Sequence, residues 1–387
     1  MMRQISSALL LYLIFTLCLS LPYLSMSLKQ RAFAADHLLF GESEGMPYQV
    51  ERVASGLGVP WAMQFINSNQ LLFTERQGRL GLLNVNTGLV QYLSGLPEMR
   101  VSGQGGLLDL VLSPNFSEDH WLYFTYSGLS SQQGITVLAR AKLKRGRLDS
   151  WQDLLKTHSG ESGDRHYGSR IAFDSQGNLY FSVGDRGERS NGQNLLTHAG
   201  SILRLKPSGA IPSDNPFISR SDARPEIWSY GHRNPQGLAY DEDRELLWAI
   251  EHGPRGGDEI NQVKKGANYG WPVISYGKEY WAPISVGEGT HKEGMEQPVK
   301  VYIPSIAPSS LLLYTGQAFP EWRGDLFAGA LALQHLNHIK LNLSGQVLLE
   351  ERLLQGWNKR IRALSQSPEG WIYLSTDNGD IYRIRPQ

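Results

Sequence analysis

The feature that most constrains this chain is a short strand pattern that recurs six times after residue 45. Each copy is an apolar and aromatic run, followed by a small or hydroxyl residue and then by Gly, Asp or Glu at a turn. Such runs, bounded by turn-forming residues, are typical of β-hairpins. The copies begin 46 to 79 residues apart, and they lie at residues 71–75, 121–125, 179–185, 246–251, 325–329 and 371–376.

The rest of the chain agrees with an all-β fold. Long apolar faces with helical spacing are missing, and the nearest candidate, residues 149–156, is too short to affect the fold. Repeated sheets with 41 glycines at their corners are better explained by radial stacking than by a two-sheet sandwich. The sequence therefore predicts a single six-bladed β-propeller over residues 35–387. Such a fold gathers loops around a central channel, where a ligand can bind.

The first 34 residues differ from everything after them. Arg3 gives a positive start, residues 9–21 are almost unbroken apolar sequence, and residues 32–34 offer a small-x-small cleavage site. We expect a signal peptide and export, with the periplasm as the expected compartment. A retained N-terminal anchor is the alternative, because the apolar stretch continues weakly to Leu28. The single cysteine, Cys18, lies in this segment, so the mature chain would contain no disulfide.

The charge balance excludes one class of partner. Lys and Arg together number 37, as do Asp and Glu, so the chain has no net positive charge with which to bind a phosphate backbone. Nucleic acid is therefore not expected as a partner.

Two loops carry candidate catalytic residues. His166, in residues 164–170, directly precedes a predicted strand, and a neutral histidine can accept a proton at neutral pH. Arg233 lies with Asn234 and Gln236 between two glycines, and its guanidinium could bind a carboxylate in a planar fork. The residue types alone leave open an ordinary loop histidine and a solvated turn.

Three further stretches could bind a cofactor or a metal. Residues 251–261 and 268–272 combine carboxylates with Gly-rich backbone, which suits the oxygen ligands of calcium; an acidic surface loop is the alternative. Alternation places Arg360 and Arg362 on one face, where they could bind a polyanion or face solvent. Gln104 lies in a Gly-rich turn that lacks the spacing of a phosphate-binding loop.

In their order along the chain, these motifs resemble the soluble aldose sugar dehydrogenases that depend on pyrroloquinoline quinone (PQQ) and their relative, soluble glucose dehydrogenase. The resemblance runs from about residue 50 to the end of the chain. The two most specific motifs are Gly-His-Arg-Asn-Pro-Gln-Gly at residues 231–237 and Asn-Tyr-Gly-Trp-Pro at residues 268–272. The other motifs are residues 103–107, 166–168, 256–261, 306–310 and 360–362.

The resemblance implies roles for individual residues in the oxidation of an aldose by PQQ with Ca²⁺. His166 matches the general base, and Arg233 matches the group that lines the quinone. Gly253 and Pro254 match backbone calcium ligands of the glucose enzyme, whereas Glu259 and Tyr269 match a calcium position in the aldose dehydrogenase branch. The positions that match cofactor-binding residues are Gln104, Arg233, Asn234, Gln236, Tyr280, Arg360 and Arg362.

One position departs from the resemblance, and two other functions stay open. Ala332 stands where the glucose enzyme has a lysine that contacts PQQ, which favours the aldose dehydrogenase branch. A calcium-dependent sugar lactonase would use the metal as a Lewis acid, but it would need several acidic side chains in the channel. A non-catalytic propeller that binds a glycan or a protein is the other alternative, because fold alone does not fix function. The resemblance implies a small aldose substrate, and the sequence does not identify the electron acceptor.

Overall fold

The computed structural model describes residues 39–387, which form six antiparallel sheets arranged as a six-bladed β-propeller. The predicted fold is therefore confirmed. The predicted signal peptide or anchor at residues 1–34 lies outside the described residues. Within residues 39–387, no helix has the length and apolar character that are needed to cross a membrane.

The blades follow one another along the chain, and within blades 1 to 5 the strands pair in sequence order. Blade 1 contains β3 (Pro60–Asn67), β4 (Gln70–Glu75), β5 (Arg79–Asn84) and β6 (Val90–Leu93); blade 2 contains β7 (Leu107–Leu112), β8 (Trp121–Ser130), β9 (Gln133–Lys144) and β10 (Arg147–Lys156); blade 3 contains β11 (Ile171–Phe173), β12 (Leu179–Val183), β13 (Ser201–Leu205) and β14 (Ile227–Tyr230). Blade 4 contains β15 (Pro235–Asp241), β16 (Leu246–Glu251), β17 (Asp258–Val263) and β18 (Lys300–Tyr302); blade 5 contains β19 (Pro308–Leu313), β20 (Leu326–Ala330), β21 (Leu336–Leu341) and β22 (Val347–Leu353). The described helices are short: α1 (Phe116–Asp119) and two 3₁₀ turns at Arg189–Gln193 and Pro320–Trp322.

Blade 6 closes the ring by combining the two ends of the described chain. Its C-terminal strands are β23 (Ile361–Gln366), β24 (Ile372–Thr376) and β25 (Ile381–Pro386), and the N-terminal strands β1 (Leu39–Ser43) and β2 (Met46–Ala54) complete it. In this sheet β2 pairs antiparallel with β25. Because β2 and β25 lie at opposite ends of the described chain, their pairing closes the circle of blades.

The repeated sequence pattern corresponds to the second strand of every blade, namely β4, β8, β12, β16, β20 and β24. Its hydroxyl residues are buried and bond to the next blade. Thr74 donates to the Leu108 carbonyl at 2.6 Å, and Ser375 donates to the Pro60 carbonyl at 2.7 Å. Thr125 and Ser182 make the equivalent bonds to blades 3 and 4. Apolar side chains also pack between blades, as where Tyr123 of blade 2 shares a cluster with residues of blade 3.

One buried guanidinium joins the blades at the centre of the ring. Arg170 directly precedes β11 of blade 3, and its side chain is almost completely buried. Its contacts reach the first strand of each of the other five blades. The guanidinium donates to Asp109 Oδ1 at 3.0 Å and to the carbonyls of Gln236, Ser309 and Arg362 at 2.8, 2.6 and 3.5 Å. It also lies over the Trp61 ring, whose centroid is 3.8 Å from the guanidinium carbon.

We expect Arg170→Met to lower the free energy of unfolding by about 3–5 kcal/mol, because it leaves the Asp109 carboxylate buried without a counter-charge. Urea unfolding monitored by tryptophan fluorescence would measure the change. The double variant Arg170→Met/Asp109→Asn should recover part of the loss, since no buried charge remains. Arg147→Met, at an exposed position in blade 2, is the control. A loss below about 1 kcal/mol for Arg170→Met would show that the contact does not hold the ring together.

Candidate active site

A cavity of about 240 Å³ lies on the propeller axis, at the face where the first strands of the blades begin. All six blades contribute to its wall, through residues in or just before the first strands and through residues that directly follow the second strands. The residues that line it are Trp61, Arg76, Gln104, Leu108, Tyr167, Gly168, Asn234, Gln236, His252, Ala307, Leu331, Arg360 and Arg362.

His166 directly precedes two of the cavity residues and is held by hydrogen bonds at both its backbone and its ring. Its backbone N–H donates to Gln104 Oε1 at 2.7 Å, and its Nδ1 lies 2.6 Å from Asp185 Oδ1. Asp185 also accepts bonds from the Gly187 N–H at 2.7 Å and from the Trp271 indole at 2.8 Å. Because this carboxylate is an acceptor in all three bonds, Nδ1 of His166 carries the proton and Nε2 carries the free lone pair.

The environment of His166 keeps its ring neutral. The residue is only 8% exposed, and burial lowers the pKa of its imidazole, although the Asp185 carboxylate opposes the shift. Its backbone φ of 55° is in the left-handed region, which is uncommon for a residue other than glycine and occurs often at functional sites. The result is a positioned neutral imidazole beside the cavity.

Arg233 lies behind this site and binds backbone carbonyls. Its guanidinium donates to the Gly253 carbonyl at 2.7 Å, and it contacts the Tyr280 hydroxyl at 3.4 Å. Tyr280 in turn donates to the Pro254 carbonyl at 3.1 Å. The two carbonyls that the resemblance assigns to calcium are therefore bonded to a cationic and a phenolic donor in this structure.

The amide side chains of Asn234 and Gln236 form part of the cavity wall. Asn234 Oδ1 accepts from the Gly168 N–H at 3.2 Å, and Gln236 Nε2 donates to the Gly168 carbonyl at 3.1 Å. These bonds tie blade 4 to the loop that carries His166 and fix the position of that loop.

A positively charged wall forms on the side of blades 6 and 1. Arg360 and Arg362 both bind Asp377, at 2.8 and 2.7 Å, so they lie on one face as alternation predicts. Arg76, on the turn after β4, is a third guanidinium in this wall. The cavity therefore carries more positive than negative charge.

An acidic pocket of about 20 Å³ adjoins the cavity behind Arg233 and His252. Glu251 and Glu259 face each other across the β16–β17 ladder, and Asn261 Nδ2 lies 3.3 Å from a carboxylate oxygen of each. Burial and the Glu251 charge raise the pKa of Glu259 to about 8. Asn261 Oδ1 is buried and has no hydrogen-bond partner within residues 39–387.

The pocket offers hard oxygen atoms to a cation, but the side chain of one predicted ligand, Tyr269, is already hydrogen-bonded elsewhere. The Tyr269 hydroxyl donates to the Gln262 carbonyl and accepts from the Lys264 N–H at 2.8 Å. Only the backbone carbonyl of Tyr269 is thus free to serve as a ligand from that residue. Glu251 and Asn261 are two further candidate calcium ligands. Both lie in residues 251–261, the stretch predicted to bind calcium, but neither was predicted individually.

His252 separates the cavity from the acidic pocket and lines both. Its Nε2 lies 2.6 Å from the Pro308 carbonyl, so Nε2 carries the proton. Burial lowers the pKa of this imidazole to about 3. The ring is therefore a neutral wall between the two compartments.

The structure brings most of the predicted residues together. Gln104, Asn234, Gln236, Arg360 and Arg362 line one cavity, whereas Arg233, Gly253, Glu259 and Tyr269 line the adjoining pocket. Tyr280 is 63% exposed and belongs to the rim. Asp185, Arg76 and His252 were not predicted as site residues from the sequence. Asp185 could have been found, because it ends the third copy of the repeat and therefore lies where a second strand ends.

Known proteins resemble this chain over most of its length. The Glucose / Sorbosone dehydrogenase family model matches residues 57–383. The aldose sugar dehydrogenase YliI of Escherichia coli is 38% identical over 346 residues, which cover 87% of this chain and 93% of that protein.

Two solved structures extend the comparison to the whole fold. The apo-form of the soluble aldose sugar dehydrogenase from Escherichia coli superposes with a TM-score of 0.84 at 36% identity, covering 88% of this chain and 100% of that one. The PQQ-bound aldose sugar dehydrogenase from Streptomyces coelicolor gives a TM-score of 0.73 at 27% identity, covering 88% and 98%. This chain belongs to the glucose/sorbosone dehydrogenase family.

Proposed function

We propose that this protein oxidises the anomeric hydroxyl of aldose sugars to the lactone, with PQQ as the electron acceptor and Ca²⁺ as a bound ion. The observation that carries the proposal is the buried His166–Asp185 pair beside a cavity lined by arginines. A base and an anion-binding wall at one site are what this oxidation requires.

His166 performs the proton transfer. The carbon of the sugar loses a hydride while its hydroxyl loses a proton, and the C–O bond becomes C=O. Nε2 of His166 takes that proton, because Nδ1 is already protonated and bound to Asp185. The Asp185 carboxylate then stabilises the imidazolium that forms.

The cavity fits PQQ because PQQ is a tricarboxylate. Arg76, Arg360 and Arg362 line it with guanidiniums that can bind carboxylates in planar forks. The amides of Gln104, Asn234 and Gln236 provide further polar groups. When bound, PQQ supplies the two-electron acceptor for the hydride.

The acidic pocket is the better of the two predicted calcium positions. Glu259 and the unpartnered Asn261 Oδ1 provide hard oxygen atoms, Glu251 adds a carboxylate, and a bound cation would favour the ionised form of Glu259. At Gly253 and Pro254 a cation would compete with Arg233 and Tyr280 for neutral carbonyls, whereas the Glu251 carboxylate keeps its negative charge and further lone pairs although it is bonded to His232 Nδ1 and to the Arg233 N–H. We therefore assign calcium to Glu251, Glu259, Asn261 and the Tyr269 carbonyl.

The proposed cycle needs two partners besides the bound groups. The substrate is a small aldose, and a second electron acceptor must reoxidise the site after each turnover. With the signal peptide expected at residues 1–34, the reaction would take place in the periplasm.

We expect purified protein with Ca²⁺ to reduce a redox dye in the presence of an aldose only after PQQ is added. His166→Ala should lower turnover by about 10²- to 10⁴-fold, the usual contribution of a general base, while PQQ binding is retained. His291→Ala, which changes an exposed histidine, is the control.

Two other outcomes would contradict the proposal. Near-normal turnover of His166→Ala would remove His166 from the role of base. Folded, calcium-loaded wild-type protein that reduces no dye with any aldose would favour the sugar lactonase or the binding propeller.

We expect turnover to be flat near pH 7 and to fall on acidification below about pH 6.5, because burial lowers the pKa of His166 from its usual ~6.5. Asp185→Asn removes the carboxylate that favours the imidazolium, so the acid limb of kcat/KM should move to lower pH. Plateau turnover should also fall by about 10²-fold or more, since the ring loses its fixed tautomer. An acid limb that stays in place would argue against coupling between Asp185 and His166.

We expect chelation of calcium to lower the melting temperature. A ligand at 100 times its Kd stabilises the folded state by about 2.7 kcal/mol. Glu259→Gln should abolish the difference between calcium-loaded and chelated protein in a calorimetric scan, whereas Glu369→Gln, at an exposed turn, should preserve it. An unchanged melting curve of the wild type after verified metal removal would contradict the site.

A further inference from the structure

Arg76 differs from the other two cavity arginines in having no partner for its side chain. Arg360 and Arg362 share the carboxylate of Asp377, and Arg360 also donates to the Leu331 carbonyl at 3.0 Å. Within residues 39–387, the guanidinium of Arg76 makes no hydrogen bond and no ion pair to the protein. It is nevertheless about half-buried in the cavity wall, where a free charge is costly.

The backbone of Arg76 is fixed, so the side chain starts from a defined position. Its N–H donates to the Val59 carbonyl at 3.0 Å, and its carbonyl accepts from the Leu107 N–H at 3.2 Å. Gly106 packs so closely against this carbonyl that a Cβ there would overlap it. The turn is therefore clamped between blades 1 and 2, and a substitution of the Arg76 side chain should leave the turn intact.

The charges around Arg76 make it a binding group for an anion. Burial and repulsion by Arg362 lower the pKa of Arg76, and the nearby Asp377 carboxylate only partly opposes this shift. Asp377 is hydrogen-bonded to Arg360 and Arg362 and not to Arg76, so one carboxylate is shared among three guanidiniums and the wall keeps a net positive charge. An anionic ligand would relieve the repulsion and give the guanidinium its missing acceptors.

We propose that Arg76 binds a carboxylate of PQQ from the blade 1 side of the cavity. This inference rests on the proposed function and adds a cofactor-binding residue to it. Arg76 is a binding residue only, because a guanidinium stays protonated and does not act as an acid or a base.

The test is titration of PQQ into calcium-loaded protein, followed by calorimetry and by quenching of tryptophan fluorescence, since Trp61 also lines the cavity. Arg76→Gln should weaken PQQ binding by about 10- to 100-fold, the usual worth of a hydrogen bond to a charged group. Arg76→Lys should lie between Arg76→Gln and wild type, because it keeps the charge but loses the planar fork. Arg147→Gln, which removes one exposed charge, should bind like wild type.

Two further readouts separate binding from folding. The melting temperature of apo Arg76→Gln should equal or exceed that of wild type, because the variant removes a charge that repels Arg362. The affinity of Arg76→Gln should also fall less steeply with added salt than that of wild type.

The contrary outcomes are distinguishable. If wild-type protein binds PQQ and Arg76→Gln binds it equally well, Arg76 is not a cofactor residue and the proposed function stands. If folded wild-type protein does not bind PQQ at all, the proposed function fails and this inference fails with it.

Discussion

The contact on which the rest of the structure depends is the one that Arg170 makes at the centre of the ring. A propeller has no single sheet to hold it together, so its blades must be joined by packing and by bonds across the axis. Arg170 supplies such bonds to the backbones of blades 4, 5 and 6 and an ion pair to Asp109 of blade 2. Two of its acceptors, Gln236 and Arg362, also line the cavity. Arg170 therefore connects two walls of the site to the centre of the ring.

The site itself is organised by a separation of charge over a short distance. One compartment is positive, through Arg76 and the arginines of blade 6, and the adjoining one is acidic, through Glu251 and through Glu259, whose pKa is raised to about 8. Two residues lie between the compartments. One is the neutral His252, and the other is Arg233, whose backbone N–H donates to Glu251 at 2.7 Å. An anionic cofactor and a metal cation can each be bound where their charge is opposed, without neutralising each other's ligands.

The fold was predictable from sequence because the second strand of each blade is buried, and its side chains pack against the next blade or bond to it in the same way in several blades. Aromatic residues such as Phe73 fill the space between blades, and the hydroxyl of Thr74 bonds to the following blade. The closure of blade 6 was not predictable in this way. It depends on β2 pairing with β25, and pairing between strands so far apart in sequence leaves no local signal.

The site was predicted only in part. Sequence motifs reveal site residues that lie close together in the chain, and they miss single residues that another blade contributes. Asp185 and Arg76 belong to the turns that follow β12 and β4, within or just after copies of the repeat. The repeat predicts the strands, but it does not indicate which residues at the strand ends face the site. In a propeller those ends share one face, so a charged residue there is a candidate ligand whichever blade carries it. Arg76 in blade 1 and Asp377 in blade 6 both directly follow a second strand; Asp377 binds the cavity arginine Arg362, and Arg76 is repelled by it. Ala332, where the resemblance implies a lysine, therefore does not by itself decide the charge of the wall, since a neighbouring blade can place a cation there.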